Sequence, residues 1–599
     1  MNLRKTTSVI LTALVIASCS GCGSDAKDVS SGGQIRLLDA SEMFSSRDVE
    51  SGYDESECTV ITLEGNSASV RGSGASVRGS TVTISAEGDY LLSGSLDDGA
   101  VIVDADKKDK VRLLLKGVSI NSASCAAIEV RQADKVFITL VKKSENTLSN
   151  VSSATVTDDV DAVIFSKDDL TLNGEGKLTI AANTGHGIVC KDDLVITGGS
   201  YDITSEKKAL DANDSIRVAD GSFTIDSGAD ALHCETDNAS KGYIYIADGT
   251  FSITAGTDGL DASGVIQIDN GSLTLKTGGG SANASTKKDG GFNGGWGRWG
   301  GRAQGGNAPS GASVASDSVS AKGLKSDSSV AVNNGAITID SSDDAIHSDG
   351  AVSIADGSLS IRSGDDGIHA GSTLAISGGN VSISQSYEGL EGMSIAILGG
   401  CVSVVASDDG LNAAGGNDQS SVNGRPGQNK FAAQEGVSID ISGGSVSVNA
   451  AGDGIDSNGD VTVSGGEIHV SGSANGGNAA LDFNGNATVT GGVFIAAGMD
   501  DMAQNFGSGS TQGSMLVTVD TMLAGSEITL QNAGGKTLVS YKPEKSYNCV
   551  VISTPDVKQG ETYTLTAGSA SVTVKMDSLI YGSGGMGGGR PGGRRGGRG

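Results

Sequence analysis

The sequence predicts an all-β protein, a right-handed parallel β-helix of about 22-residue coils closed by a C-terminal β cap. Three observations predict it. A pentapeptide returns on a fixed period, turn glycines return in phase with it, and aliphatic residues alternate with Ser, Thr and Asp in between.

Asp344-Ala-Ile-His-Ser, Asp366-Gly-Ile-His-Ala, Glu388-Gly-Leu-Glu-Gly and Asp409-Gly-Leu-Asn-Ala start 22, 22 and 21 residues apart. Asp453-Gly-Ile-Asp-Ser follows 44 residues later, two periods, with a polar insertion at 415–434 between them. Upstream, Lys208-Ala-Leu-Asp-Ala and Asp230-Ala-Leu-His-Cys are 22 apart, and Asp258-Gly-Leu-Asp-Ala comes 28 later. Glycines 199, 221, 249, 271, 335, 357, 379, 400, 444, 466 and 492 mark a corner in each coil, where tight turns need positive φ. One coil therefore holds three short strands and three corners. It cannot bury its apolar face alone and must stack on its neighbours at about 4.8 Å. Ile346, Ile368, Leu390, Leu411 and Ile455 fall in one column and should form an inward aliphatic ladder. Cys190, Ala212 and Cys234 fall in another, which places the thiols about 9.6 Å apart, too far for a disulfide.

Composition agrees. Gly is 92 of 599 residues but shows no three-residue period, which excludes collagen, and Pro is only 5. The net charge of −29 excludes nucleic acid as a partner and favours divalent cations. Arg4 and Lys5 precede an apolar run from Val9 to Ala17, too short to span a bilayer. Ile16-Ala17-Ser18-Cys19 resembles a bacterial lipobox, so Cys19, or alternatively Cys22, is the expected lipidation site. The membrane is then reached only through that anchor, on the outer face of the cell.

The expected organisation is a signal segment at 1–22, a tether at 23–50, and an N-terminal β region with the first coils at 51–160. The helix proper follows at 161–500, with insertions at 278–321 and 415–434. A cap at 515–581 and a Gly/Arg-rich tail at 582–599 complete the chain. The first insertion carries Phe292, Trp296 and Trp299, candidate stacking groups for a sugar ring. A monomer is expected.

The chemistry should lie at one corner. The column before the inward aliphatic reads Lys208, Asp230, Asp258, Lys322, Asp344, Asp366, Glu388, Asp409, Asp453, and Asp343, Asp365 and Asp408 add a preceding acid. The column after it reads Asp211, His233, Asp261, Lys325, His347, His369, Glu391, Asn412, Asp456, Asp482 and points outward. Stacking brings like charges to about 5 Å, which destabilises a sheet unless a cation neutralises them. Ca2+ suits that task, being hard, oxygen-seeking and tolerant of irregular geometry. The plainer alternative is Asp favoured at turns for its local hydrogen bonds. Only His347 and His369 are adjacent among the aligned histidines, and no Cys joins them, which disfavours zinc.

The repeat, the lipobox, and the segments Tyr541-Lys-Pro, Ile552-Ser-Thr-Pro-Asp and Lys558-Gln-Gly-Glu-Thr-Tyr-Thr-Leu resemble the clostridial carbohydrate-binding β-helix family. The resemblance covers most of residues 60–580. It implies a pectate-lyase-like fold, binding of cellulose and acidic sugars, and calcium held by the helix. It would make Asp343, Asp344, Asp365, Asp366, Asp408 and Asp409 calcium ligands, with Asp453 and Asp456 continuing the same columns. The repeats lack the flat aromatic row that usually grips crystalline cellulose, which favours an acidic glycan. The expected function is therefore calcium-dependent, non-catalytic polysaccharide binding at the cell surface. A polysaccharide lyase needs a Lys or Arg base that no cluster marks. A structural spacer without glycan affinity is the third alternative.

Overall fold

A computed structural model describes residues 37–123, 126–152, 160–284, 320–413 and 433–582. It is 55% strand and forms a parallel β-solenoid of about 14 turns. A representative coil uses the strands Leu210–Ala212, Ser215–Val218 and Ser222–Ser227, each paired in parallel with its counterpart one coil away.

The aliphatic ladder forms as the period requires. Leu210, Leu232, Leu260, Leu324, Ile346, Ile368, Leu390, Leu411 and Ile455 are all fully buried. Above them, Tyr201, Phe223 and Phe251 stack face to face, with ring centroids 5.0 and 4.5 Å apart. All eleven turn glycines take positive φ, from 76° at Gly379 to 148° at Gly221, a region costly for any residue with a Cβ. Cys190, Ala212 and Cys234 share one register column and the thiols are free.

Both ends of the stack are closed by antiparallel pairing, which shields strand edges. At the start, Thr59–Gly65 pairs antiparallel with Ala68–Arg71. At the far end, Tyr547–Ser553 runs antiparallel to the last coil strand, Val493–Gly498, and to Ser514–Met522. A four-stranded antiparallel sheet of Ile528–Asn532, Thr537–Tyr541, Thr562–Ala567 and Ala570–Lys575 covers this end with its own apolar core, including Met515, Tyr547, Leu565 and Met576.

Residues 37–50, expected to be tether, lie along one flank of the solenoid. Leu38 donates its N–H to Gln267 at 2.7 Å, Met43 accepts from Arg217 at 3.1 Å, and Gly52 accepts from Arg112 at 2.8 Å. The segment thus runs against the direction of the coils. Asp48 is its anchor, accepting from Thr171 at 2.7 Å and pairing with Lys135 at 2.8 Å. Burial opposes a charge there, yet the ammonium of Lys135 and the hydroxyls of Ser45 and Thr171 hold the carboxyl down at about 2.

Candidate functional site

In each coil an outward residue follows the inward aliphatic, and parallel register stacks these residues into a continuous row. Asp211, His233, Asp261, Lys325, His347, His369, Glu391, Asn412, Asp456 and Asp482 are register partners in successive coils. They point away from the core as the alternation requires, but several are not exposed. His369 is 5%, Asn412 4% and Glu391 1% accessible. Three residues earlier in every coil but the last, where Ala479 stands, is the corner acid or lysine, and the two columns close on each other.

Along the first part of the row, the chain supplies its own cations. Asp211 accepts from His233 at 2.7 Å, with Lys208 3.3 Å from the same carboxylate. Lys325 lies 3.1 Å from Asp261 and 3.4 Å from Asp258. Lys322 pairs with Asp343 at 2.7 Å and Asp344 at 3.0 Å, and His347 adds a bond to Asp344 at 2.8 Å. Burial would raise the Asp344 pKa, but the Lys322 charge and the His347 bond pull it far below the usual carboxylate range. His369 bonds Glu391 at 2.7 Å and lies 3.4 Å from Asp366.

The last part of the row differs. Asp409, Asp453 and Asp456 can each place an oxygen within 4.8 Å of the others. Among the described residues no Lys, Arg or His pairs with them, with Asp408 or with Asp482. Gly452 permits the crowding, since a Cβ there would collide with the carboxylates of both Asp408 and Asp409. Burial and then the neighbouring acids push the Asp409 carboxyl well up, Asp453 to about 8 and Asp456 to about 7. Two buried acceptor oxygens beside them, Oδ1 of Asn412 in the coil of Asp409 and Oε1 of Glu391 one coil upstream, have no hydrogen-bond partner. Each such atom costs about 1–3 kcal/mol unless a donor or cation reaches it.

The eight acids expected to bind metal therefore fall into different settings. Asp343, Asp344 and Asp365 converge within 4.8 Å, but the Lys322 ammonium already sits between the first two. Asp366 joins His369 and Glu391 in a buried cluster held by imidazole. Asp409, Asp453 and Asp456, with Asp408 beside them, form an all-oxygen group with no cation of the chain's own among the described residues, and this donor set fits a hard divalent ion. Lys322 was visible one period before Asp344 in the same column; its pairing with the next coil's acid was the missed signal. Phe292, Trp296, Trp299, Cys19 and Cys22 lie outside the described residues.

A second feature sits upstream. The connection after the strand Leu232–Cys234 has eight residues before Tyr243–Ile246, where the flanking coils use two. This excursion walls a cleft of about 350 Å3 over Lys208, Asp211 and His233.

Comparison with known proteins gives three matches. A family profile described as "Carbohydrate-binding domain-containing protein" matches residues 78–367, slightly less than half of the chain. A protein of that same description from Acetivibrio thermocellus is 31% identical over 152 residues, which is 25% of this chain and 46% of the relative. A solved structure, "Structure of the polysaccharide lyase-like protein from C. thermocellum, Gadolinium derivative", is 32% identical and covers 37% of this chain and 92% of that one, with a TM-score of 0.36. The chain spans about half the length of the curated relative it matches.

Proposed function

We propose that this protein is a non-catalytic, calcium-dependent carbohydrate-binding protein that holds an acidic polysaccharide along the outward corner row. Export and a lipid anchor at Cys19 or Cys22 belong to the same proposal and place it at the cell surface. The observation that carries the reading is the contrast within one row. Upstream, Asp211, Asp258, Asp261, Asp343, Asp344, Asp366 and Glu391 each lie within ion-pair distance of a lysine or histidine of the chain, while among the described residues none reaches Asp408, Asp409, Asp453, Asp456 or Asp482. The match of residues 78–367 to a carbohydrate-binding family supports the ligand class.

Bound Ca2+ would supply fixed positive charge to neutralise these acids and accept a uronate carboxylate from the glycan. The residues themselves provide the rest. Asp409, Asp453 and Asp456 would hold the ion. Parallel register repeats a polar group about every 4.8 Å, so an extended polymer meets donors and acceptors along its length.

Binding without catalysis is favoured by the state of the lysines. Burial disfavours the charged form of Lys322 and Lys325, but the adjacent acids win and hold both pKa values above the ordinary lysine range. An ammonium held this way does not serve as a base for proton abstraction from a uronate. Arg217 is likewise tied to Asp193 at 2.7 Å.

The test is retention of the mature protein on polygalacturonate and on cellulose, each with calcium and with chelator. Calcium-dependent retention on polygalacturonate without release of unsaturated product supports the reading. Unsaturated product would make it a lyase, and no retention on either polymer would make it a spacer.

A further inference from the structure

The cleft over Lys208, Asp211 and His233 exists because of one local departure from the period. Asp230 and Asp258 are 28 residues apart, where Lys208 and Asp230 are 22 apart. The six additional residues all fall in the connection Glu235–Gly242, between strands whose partners in both flanking coils are joined by two residues. The excursion is pinned to both neighbours. Thr236 donates its N–H to Ser263 Oγ at 3.1 Å on one side, and Lys241 pairs with Asp214 while Gly242 donates to the Asp214 carbonyl at 2.7 Å on the other.

The floor is made of outward-row residues already bonded to each other. His233 Nδ1 is 2.7 Å from Asp211 and 2.8 Å from Lys208, and the ring is 8% accessible. Its Nε2 lies 3.3 Å from Glu235, at the base of the wall. The rest of the lining is Ala212, Asn213, Thr236 and Asp237, and no Phe, Tyr or Trp is among the lining residues.

From this geometry we infer a second saccharide site, a cleft that takes one or two neutral sugar units edge-on through their hydroxyls. The inference rests on the carbohydrate-binding reading but concerns different coils from the acid group at Asp409. The volume is within the range of small-ligand sites. The lining offers carboxylate, amide and hydroxyl groups suited to vicinal hydroxyls, and it holds no Phe, Tyr or Trp on which a sugar ring would stack. Asp211, Glu235 and Asp237 outnumber Lys208, whose ammonium Asp211 already engages, so a uronate is repelled. A metal is not favoured at Asp230, His233 and Asp261, because Lys208 lies against His233 and Lys325 against Asp261.

The experiment is calorimetric titration of the full-length mature protein with cellotetraose and with tetragalacturonate, in chelator. Two variants accompany it: Glu235→Gln with Asp237→Asn, and deletion of residues 236–241, which restores the two-residue connection of the flanking coils. Cellotetraose should bind the unaltered protein, tetragalacturonate should not, and both variants should lose at least about tenfold in cellotetraose affinity. Their calcium-dependent retention on polygalacturonate should be unchanged, so the polymer assay reports separately on the reading beneath. Cellotetraose binding that survives both variants, or that is lost only with Trp296→Ala and Trp299→Ala, overturns the inference. So does preference for the acidic tetramer, or no binding of either tetramer by a protein that still retains on polymer.

Discussion

The imidazole rings of His347 and His369 stack with centroids 4.7 Å apart and planes within 9°, while each Nδ1 bonds a different carboxylate, Asp344 at 2.8 Å and Glu391 at 2.7 Å. The pair thus joins the lysine-matched acids upstream to the buried Glu391 downstream, and among the described residues it is where the chain's own cations in this row end.

Protonation of His369 is part of the fold. Burial opposes its charge, but Asp366 and Glu391 accept its N–H and raise its pKa to about 11. The unfolded value is about 6.5. A raised folded-state pKa contributes stability that is complete below the unfolded value and lost as pH climbs through the folded one. His369→Gln should therefore cost about 3 kcal/mol near neutral pH, by analogy with breaking a buried ion pair. The variant should also lose part of the decline in melting temperature that the unaltered protein shows between neutral and strongly alkaline pH. Thermal denaturation across that range measures it, and parallel curves for the two proteins would contradict the assignment.

Lys322 should act as a built-in substitute for a metal ion. Lys322→Ser leaves Asp343 and Asp344 facing each other, with a loss of about 3 kcal/mol in chelator. Calcium should then restore the melting temperature and bind with one more equivalent than in the unaltered protein. Equilibrium dialysis counts the ions. An unchanged count would mean that these acids do not recruit calcium even when freed.

Much of this architecture was legible because a solenoid repeats its own constraints. The column of Ile346, Ile368, Leu390 and Leu411 fixes the register, and the register fixes which side chains share a corner. The neutralisation of acids was harder to see, since it depends on pairs a full coil apart, such as Lys322 with Asp344, rather than on local spacing. The segment at 37–50 carries no period at all. Its docking rests on single bonds, such as Asp48 to Thr171, for which the sequence offers no pattern. The 28-residue spacing before Asp258 was visible as a number, but only the strands flanking Glu235–Gly242 show that the added residues build a wall.

The flank segment should be released by removing its anchor. Asp48 keeps a carboxyl depressed to about 2 despite burial. A depressed pKa contributes stability present above the unfolded value of about 3.9 and lost as pH falls through the folded one. Asp48→Ala should cost about 3 kcal/mol of local stability by leaving Lys135 buried without its partner. Limited proteolysis at neutral pH should then cut within residues 37–58 faster than in the unaltered protein, with the coils left intact. Equal cutting rates would show that other contacts hold the segment.

The most direct test of the central claim is the affinity for polygalacturonate, in calcium, of two triple variants beside the unaltered protein. Replacing Asp409, Asp453 and Asp456 together by Asn should lower the affinity at least about tenfold and remove its dependence on calcium. Replacing Asp343, Asp344 and Asp365 in the same way should leave both unchanged, because Lys322 already occupies that corner. Undiminished, calcium-dependent affinity in the first variant would contradict the account.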